Sequence, residues 1–290
     1  MRRAVIITLA AALAAGCGST QHAAVTTVAK PKPKTARPGL RIGVVGPLAV
    51  SVPGAVAEHG TLARVSGDAL VLVDAAVADA ATVAAAADRH PTTHFALVGA
   101  STKGFHRTNL VGLVLREAQA ARLAGVVAGF IAEEQGGADA RVAWVGPQER
   151  AVAGAYAGGV HRSLPAAGVL YAWSQRIPAR CKEAALGAIA RGAVVVTAHR
   201  GLCADAVAVA AHQQNHVAFS VADFELTGVP AAIVARDAVA GVYHGGEDLV
   251  FGATSGAIGV RRLDARISTA TALRARTAAQ QLVNGLPPSG

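Results

Sequence analysis

Aromatic residues are scarce in this 290-residue chain, only 4% of the total with two Trp, three Tyr and six Phe. A nucleic-acid surface calls for a patch of Lys and Arg with aromatics interleaved, and no segment offers one. The formal net charge of +9 points toward such a partner only at first sight. Six basic groups (Arg2, Arg3, Lys30, Lys32, Lys34 and Arg37) lie in residues 1–40, which hold no acid, leaving 21 basic and 18 acidic groups for residues 41–290. The bulk of the chain is mildly basic, and no nucleic-acid partner is expected. Catalytic signatures are missing too. Serine, histidine and aspartate occur without the Gly-x-Ser-x-Gly elbow of a hydrolase, and the glycine-spaced run from Gly252 to Gly259 lacks the phosphate-loop pattern. His212 and His216 have the i, i+4 spacing of a zinc pair, but only Gln213, Gln214 and Asn215 stand between them, with no glutamate. The chain does not read as an enzyme, and neither a metal nor an organic cofactor is expected. Long apolar runs are also absent past the N-terminus. The most apolar stretch, Leu113 to Ile131, is interrupted by Arg116, Glu117 and Arg122.

What is present begins with Arg2 and Arg3, an apolar run from Ala4 to Leu13, then Ala14, Ala15, Gly16 and Cys17. Charge, short apolar stretch and small residues in that order read as an export signal, and the run is too short for a stable span of a ~30 Å hydrocarbon core. A cysteine directly after Ala-Ala-Gly resembles the lipobox of bacterial lipoproteins, although the position three before the cysteine is Ala14 where leucine is usual. The resemblance implies lipidation of Cys17 and an anchor in the outer face of the cell membrane, with signal cleavage nearby as the alternative. Residues 18–40 are rich in Ser, Thr, Gln, Lys and Pro, with Lys-Pro-Lys-Pro-Lys at 30–34, and read as a flexible tether. With Cys17 used, Cys181 and Cys203 remain as an even pair outside the cytoplasm, which suggests a disulfide; two separately buried thiols are the alternative.

From residue 41 onward, short β-branched runs alternate with alanine-rich stretches long enough for helices, the rhythm of a parallel α/β sheet. Strands are expected at 41–46, 69–74, 95–99, 111–115, 142–146, 168–173, 193–197 and 217–221. Helices are expected near 78–89, 116–134, 148–163, 180–191, 203–214, 229–244 and 269–284. Gly54 to Gly67 leaves room for a short helix and an edge strand at Leu62 to Val65.

His94 to Gly129 reads Phe-Ala-Leu-Val-Gly, and later Leu-Val-Leu-Arg-Glu-Ala-Gln-Ala-Ala-Arg-Leu-Ala-Gly-Val-Val-Ala-Gly. This stretch is similar to the basic membrane protein family of nucleoside-binding lipoproteins, in which Arg-Glu leads into a helix bearing Leu-Ala-Gly-x-x-Ala; Arg116, Glu117, Leu123, Ala124, Gly125 and Ala128 fit. The likeness extends over most of residues 68–290. It implies a type I periplasmic-binding-protein architecture, an α/β fold of two Rossmann-like lobes with parallel sheets, here with the first helix of lobe one truncated. The implied division is 41–115 plus 223–250 for lobe one and 116–222 plus 251–290 for lobe two. A small-molecule solute would be captured by hinge closure and passed to an ABC transporter permease. A degenerate lobe pair serving as an envelope sensor or interaction module, with no solute, is the rival reading.

Parallel sheets bind ligands at the carboxyl ends of their strands, so the resemblance puts candidate contacts on loops. The loop 99–109 offers Ser101, Phe105 and Asn109, with Gly99 where the family has an acid. His199, Arg200 and Gly201 follow the strand ending at Thr197. Asp223 and Phe224 lie beside Val221, which stands where the family grips a ribose with an acid. Arg236 falls where the family has a lysine. The family's Asp-rich turn and stacking aromatic are replaced by Pro47 to Pro53, so Phe105 or Phe224 is left to supply a ring, unless both simply pin loops. Glu117 satisfies groups at its helix start. Cys181 and Cys203 open helices in consecutive βα units, whose loops share one sheet edge and lie within bridging range.

Overall fold

The computed structural model describes residues 39–65, 67–175, 177–201 and 203–287. The expected export signal, the lipidated Cys17 and all but the end of the tether lie outside that range. The β-branched runs form strands because they are apolar on both faces and are covered on both, as parallel sheets require. In the first lobe these are β1 (Leu40–Val45), β3 (Leu70–Asp74), β4 (His94–Val98) and β5 (Leu110–Leu115), joined by β2 (Ala55–His59) and β10 (Asp248–Phe251) in the order β10-β5-β4-β3-β1-β2, every pair parallel. Helix α1 (Ala80–Arg89) covers one face through Val83, Ala84, Ala86 and Ala87. Helix α6 (Gly228–Val239), with Leu48, Val50 and Val52, covers the other.

The second lobe has four parallel strands, β6 (Arg141–Gly146), β7 (Gly168–Trp173), β8 (Ala193–Ala198) and β9 (Val217–Ser220), in the order β7-β6-β8-β9. On one face lie α2 (Glu117–Gly136), α3 (Arg150–Ser163) and α7 (Thr269–Val283), packed around Trp144, Tyr156 and Phe130. On the other lie α4 (Pro178–Ala190) and α5 (Cys203–Gln213), packed through alanines. Helix α2 is buried almost continuously from Ala120 to Ala132. Its glycines have a geometric reason: a Cβ on Gly125 would lie 2.0 Å from the Tyr156 carbonyl oxygen, and one on Gly159 of α3 would lie 2.1 Å from the Arg122 carbonyl oxygen. The two backbones touch, which only glycine permits. No described helix is long and apolar enough to cross a membrane.

The chain passes between the lobes after Leu115, after Phe224 and after Phe251, and the three passages are laced together. Arg116 N donates to Phe251 O (2.8 Å), Leu226 N to Ala257 O (2.8 Å) and Gly259 N to Phe224 O (3.0 Å), with an antiparallel bridge between Glu225 and Ile258.

Two expectations are corrected. The strand after β1 runs from Ala55 to His59, and Leu62–Arg64, where an edge strand was expected, is a single 3₁₀ turn. Residues 46–54 come back across the sheet face as extended chain, with Leu48 buried, so that β2 starts at the Pro53-Gly54 turn and pairs in register from Leu40↔Ala55. Arg41 and Glu58 form an ion pair at 2.9 Å across these neighbouring strands. The truncation extends to the whole helix. Cys181 and Cys203 are both buried and form a disulfide with a Cα separation of 5.4 Å.

Candidate functional site

The carboxyl ends of both sheets converge on a cluster of ionisable groups carried by four loops and crossovers. Glu117 is the first residue of α2, directly after the first crossover, and Glu149 precedes α3 after β6. His199 and Arg200 follow β8, and Glu225 lies on the second crossover. His199 Nε2 lies 2.8 Å from Glu117 Oε1 and 3.4 Å from Glu149 Oε2. Arg200 Nε lies 3.3 Å from the same Glu117 oxygen, and its Nη1 is 3.7 Å from Glu225 Oε1. That Nη1 also donates to the Gly99 carbonyl at the end of β4, at 3.2 Å. Arg200 thus joins lobe two, the first two crossovers and lobe one.

The local sequence holds His199 in place. Gly146 ends β6 directly beneath it, and a Cβ there would lie 2.5 Å from His199 Cβ. The Trp144 ring meets the imidazole edge-on at 5.9 Å between centroids. His199 Nδ1 is 3.1 Å from the Arg200 carbonyl oxygen. The side chain is 1% exposed.

Burial dominates the electrostatics. It pushes the Glu225 carboxyl up to about 7, with Arg200 pulling the other way and the Glu117 charge adding to the rise. For His199, burial disfavours the imidazolium, but the Glu117 carboxylate, the Arg200 carbonyl and Glu149 together outweigh it and raise the pKa above its ordinary value. The 2.8 Å approach of Glu117 is not aligned as a hydrogen bond on Nε2.

Of the candidate contacts named in the sequence, His199 and Arg200 enter this cluster and the others do not; Glu117, read there as serving its helix start, joins it through His199 and Arg200. Ser101 Oγ donates to Asp248, as do Thr102 N (2.8 Å) and Thr102 Oγ1 (2.9 Å), so Ser101 fastens its loop to the start of β10. Burial raises the Asp248 carboxyl, but the three hydrogen bonds and Lys103 outweigh it and hold the group below its ordinary value. Phe105 packs half-buried against the α1 face of the first sheet. Asn109 is buried and donates to the carbonyls of Ala87, His90 and Thr93, at the amino end of β4 and away from the cluster. Phe224 is fully buried, edge-on to Phe219 at 5.4 Å, and offers no face for stacking. Asp223 accepts from Ser220 N at 2.8 Å as the cap of a 3₁₀ turn. Arg236 is exposed on α6, roughly 12 Å along the axis from that helix's first residue.

Gly201, with φ +89°, and Asp223 line a separate groove of about 710 Å³ between α5 and residues 261–265 of lobe two. Several of its charges are paired: Asp264 is paired with Arg266 and lies 3.1 Å from His212, and Arg261 faces Asp223 at 3.7 Å. The buried, crowded groups between the lobes are the stronger candidate for function. His212 Nε2 lies 3.1 Å from Asp264 Oδ2 and His216 Nδ1 lies 3.3 Å from the Val194 carbonyl oxygen, so the two rings have separate partners.

Glu225 was missed because an acid two residues past Asp223 carries no spacing signal, and its burial arises from the crossovers. Glu149 was missed because nothing in the sequence places the β6 loop beside the β8 loop.

In fold, the chain is similar to solved structures at low identity. A solute-binding protein of an ABC transporter system from Conexibacter woesei superposes with a TM-score of 0.57 at 16% identity, over 86% of this chain and 99% of its own. A transcriptional activator of the comK gene from Bacillus halodurans gives 0.56 at 15% identity over the same shares. A solute-binding protein of an ABC transporter system from Aeropyrum pernix gives 0.53 at 16% identity, over 85% and 92%. No protein-family model matches the chain, and no curated protein matches it in sequence. The likeness establishes the fold, that of type I periplasmic binding proteins. What the cleft holds is a question for its chemistry.

Proposed function

We propose that this chain is an extracytoplasmic solute-binding protein of an ABC-type importer, held at the outer face of the membrane through Cys17 and acting by hinge closure without covalent chemistry. The carrying observation is Arg200, which reaches from the β8 loop across to the Gly99 carbonyl at the carboxyl end of β4, where two lobes joined by three laced crossovers face each other. In this reading, residues 41–115 with 223–250 close against 116–222 with 251–290. The solute is small and polar, of the nucleoside class that the basic membrane protein resemblance implies, and the permease of the importer is the protein partner. Polar groups lining the cleft are suited to hydroxyls and amides; Phe224, being buried, supplies no base-stacking platform.

A second reading has its own support. Arg200 already satisfies lobe one and the first two crossovers, and the first helix is replaced by extended chain, which fits an envelope sensor or interaction module with no solute. A thermal-shift panel of nucleosides, sugars and amino acids separates the two. A solute at 100 times its Kd adds ~2.7 kcal/mol of stability, whereas flat melting curves across the panel favour the module.

A further inference from the structure

We propose that Glu117, Glu149 and His199 form a binding site for one divalent transition-metal ion, zinc being the best match, on the lobe-two side of the cleft floor. One ligand atom from each lies within 4.8 Å of the others. The buried His199 imidazole is the central ligand. Its Nδ1 faces a backbone carbonyl, which only accepts, so the ring hydrogen belongs on Nδ1 and the lone pair of the neutral ring sits on Nε2. That lone pair points into two carboxylates, with oxygens at 2.8 and 3.4 Å, and among the described residues Nε2 has no aligned hydrogen-bond partner. Three atoms of metal-ligating type thus converge on one point, within 4.8 Å of one another. A proton on Nε2 meets Glu117 Oε1 at 2.8 Å without good alignment and leaves Glu149 at 3.4 Å. A metal ion serves all three at once.

The distances suit zinc. Tetrahedral coordination with bonds of 2.0–2.1 Å sets neighbouring ligand atoms roughly 3.4 Å apart. Nε2 to Glu149 Oε2 already has that spacing, and Nε2 to Glu117 Oε1 needs a small opening of the Glu117 side chain. One imidazole with two carboxylates is a nitrogen and oxygen donor set that zinc accepts, and calcium or magnesium, which prefer oxygen alone, does not. The carbonyl behind Nδ1 is the outer partner that metal-bound histidines ordinarily have. Gly146 and Trp144 fix the ring against rotation. Glu149 is 38% exposed, which gives the ion a way in and leaves a coordination position for water. Arg200 Nε lies 3.3 Å from the same Glu117 oxygen and its Nη1 3.7 Å from Glu225, so the metal would share Glu117 Oε1 with this guanidinium. The site stands whether or not the cleft takes a solute.

The test is titration of the full folded chain, stripped with chelator, with zinc alone by calorimetry, and with cobalt(II) by visible absorption. Expected are one saturable zinc equivalent and an intense cobalt band of tetrahedral type. E149Q, at a half-exposed position, keeps the fold and weakens zinc at least tenfold; H199A abolishes the cobalt band. H212A, remote from the cluster, leaves both unchanged. Absence of saturable zinc binding at millimolar metal overturns the proposal, as does binding that survives unaltered in E149Q. If H199A fails to fold by circular dichroism, E149Q with the cobalt spectrum decides.

Discussion

Arg200 Nη1 donates to the Gly99 carbonyl at 3.2 Å while its Nε lies 3.3 Å from Glu117 Oε1, so one guanidinium binds lobe one and the first crossover together. Replacing it leaves Glu225, 5% exposed, without its cation in the same stroke. R200A is expected to lose about 2 kcal/mol in urea unfolding, a value below the full cost of breaking a buried pair because Arg200 is itself one-third exposed. Small-angle scattering is expected to report a larger radius of gyration as the lobes part.

Stability should fall as the pH rises through the range set by Glu225. Its carboxyl is pushed up to about 7 in the folded protein against an ordinary 4.5, so between those values the folded state holds a proton that the unfolded chain has released. Stability contributed by that proton is full below the lower value and lost by the upper one, a change of about 3 kcal/mol. Urea midpoints at about pH 5 and about pH 8 measure it, and E225Q is expected to flatten the slope.

Two adjacent glycines of α3 should respond in opposite directions. A Cβ on Gly159 would strike the α2 backbone, whereas one on Gly158 meets nothing within 4 Å. G159A is expected to destabilise by about 3 kcal/mol through forced separation of the helices. G158A should stabilise by roughly 0.5–1 kcal/mol through helix propensity. Thermal unfolding of the two variants separates close approach from general helix effects.

The Cys181–Cys203 bridge closes a loop across a sequence separation of 22 residues and ends it at the turn carrying His199 and Arg200. Its loss in C181S/C203S is expected to cost about 3 kcal/mol by chain entropy. Mass spectrometry of the unreduced protein should find no free thiol at either position.

The interior of this fold was legible because it is written in uniform stretches. Runs such as Leu70–Asp74 and Ala193–Ala198 are apolar on both faces, and each helix after them has its own alanine-rich block. Strand β2 was not, since Ala55–His59 lies at the sheet edge, is largely exposed and carries no alternation for a pattern to reveal. His199 and Arg200 were reached through a resemblance and a loop position. Their partners Glu149 and Glu225 come from distant segments, and only the packing of three crossovers against the β6 and β8 loops shows that they meet. Asn109 looked like a cleft residue because it stands in the loop after β4. That loop turns back before it, so the amide caps carbonyls at the opposite end of the strand.

The lacing of the three crossovers governs how the halves of the molecule can move. With Arg116 tied to Phe251, Leu226 to Ala257 and Gly259 to Phe224, no passage can bend without carrying its neighbours. Independent twisting would break several backbone hydrogen bonds at a low-solvent seam, each of which is expensive to leave unmade. Under the proposed hinge closure, the lobes keep a single rotation about the axis of that strip, like a leaf on one pin. Anything that grips both leaves near the pin, as Arg200 does, sets the opening angle for the whole cleft.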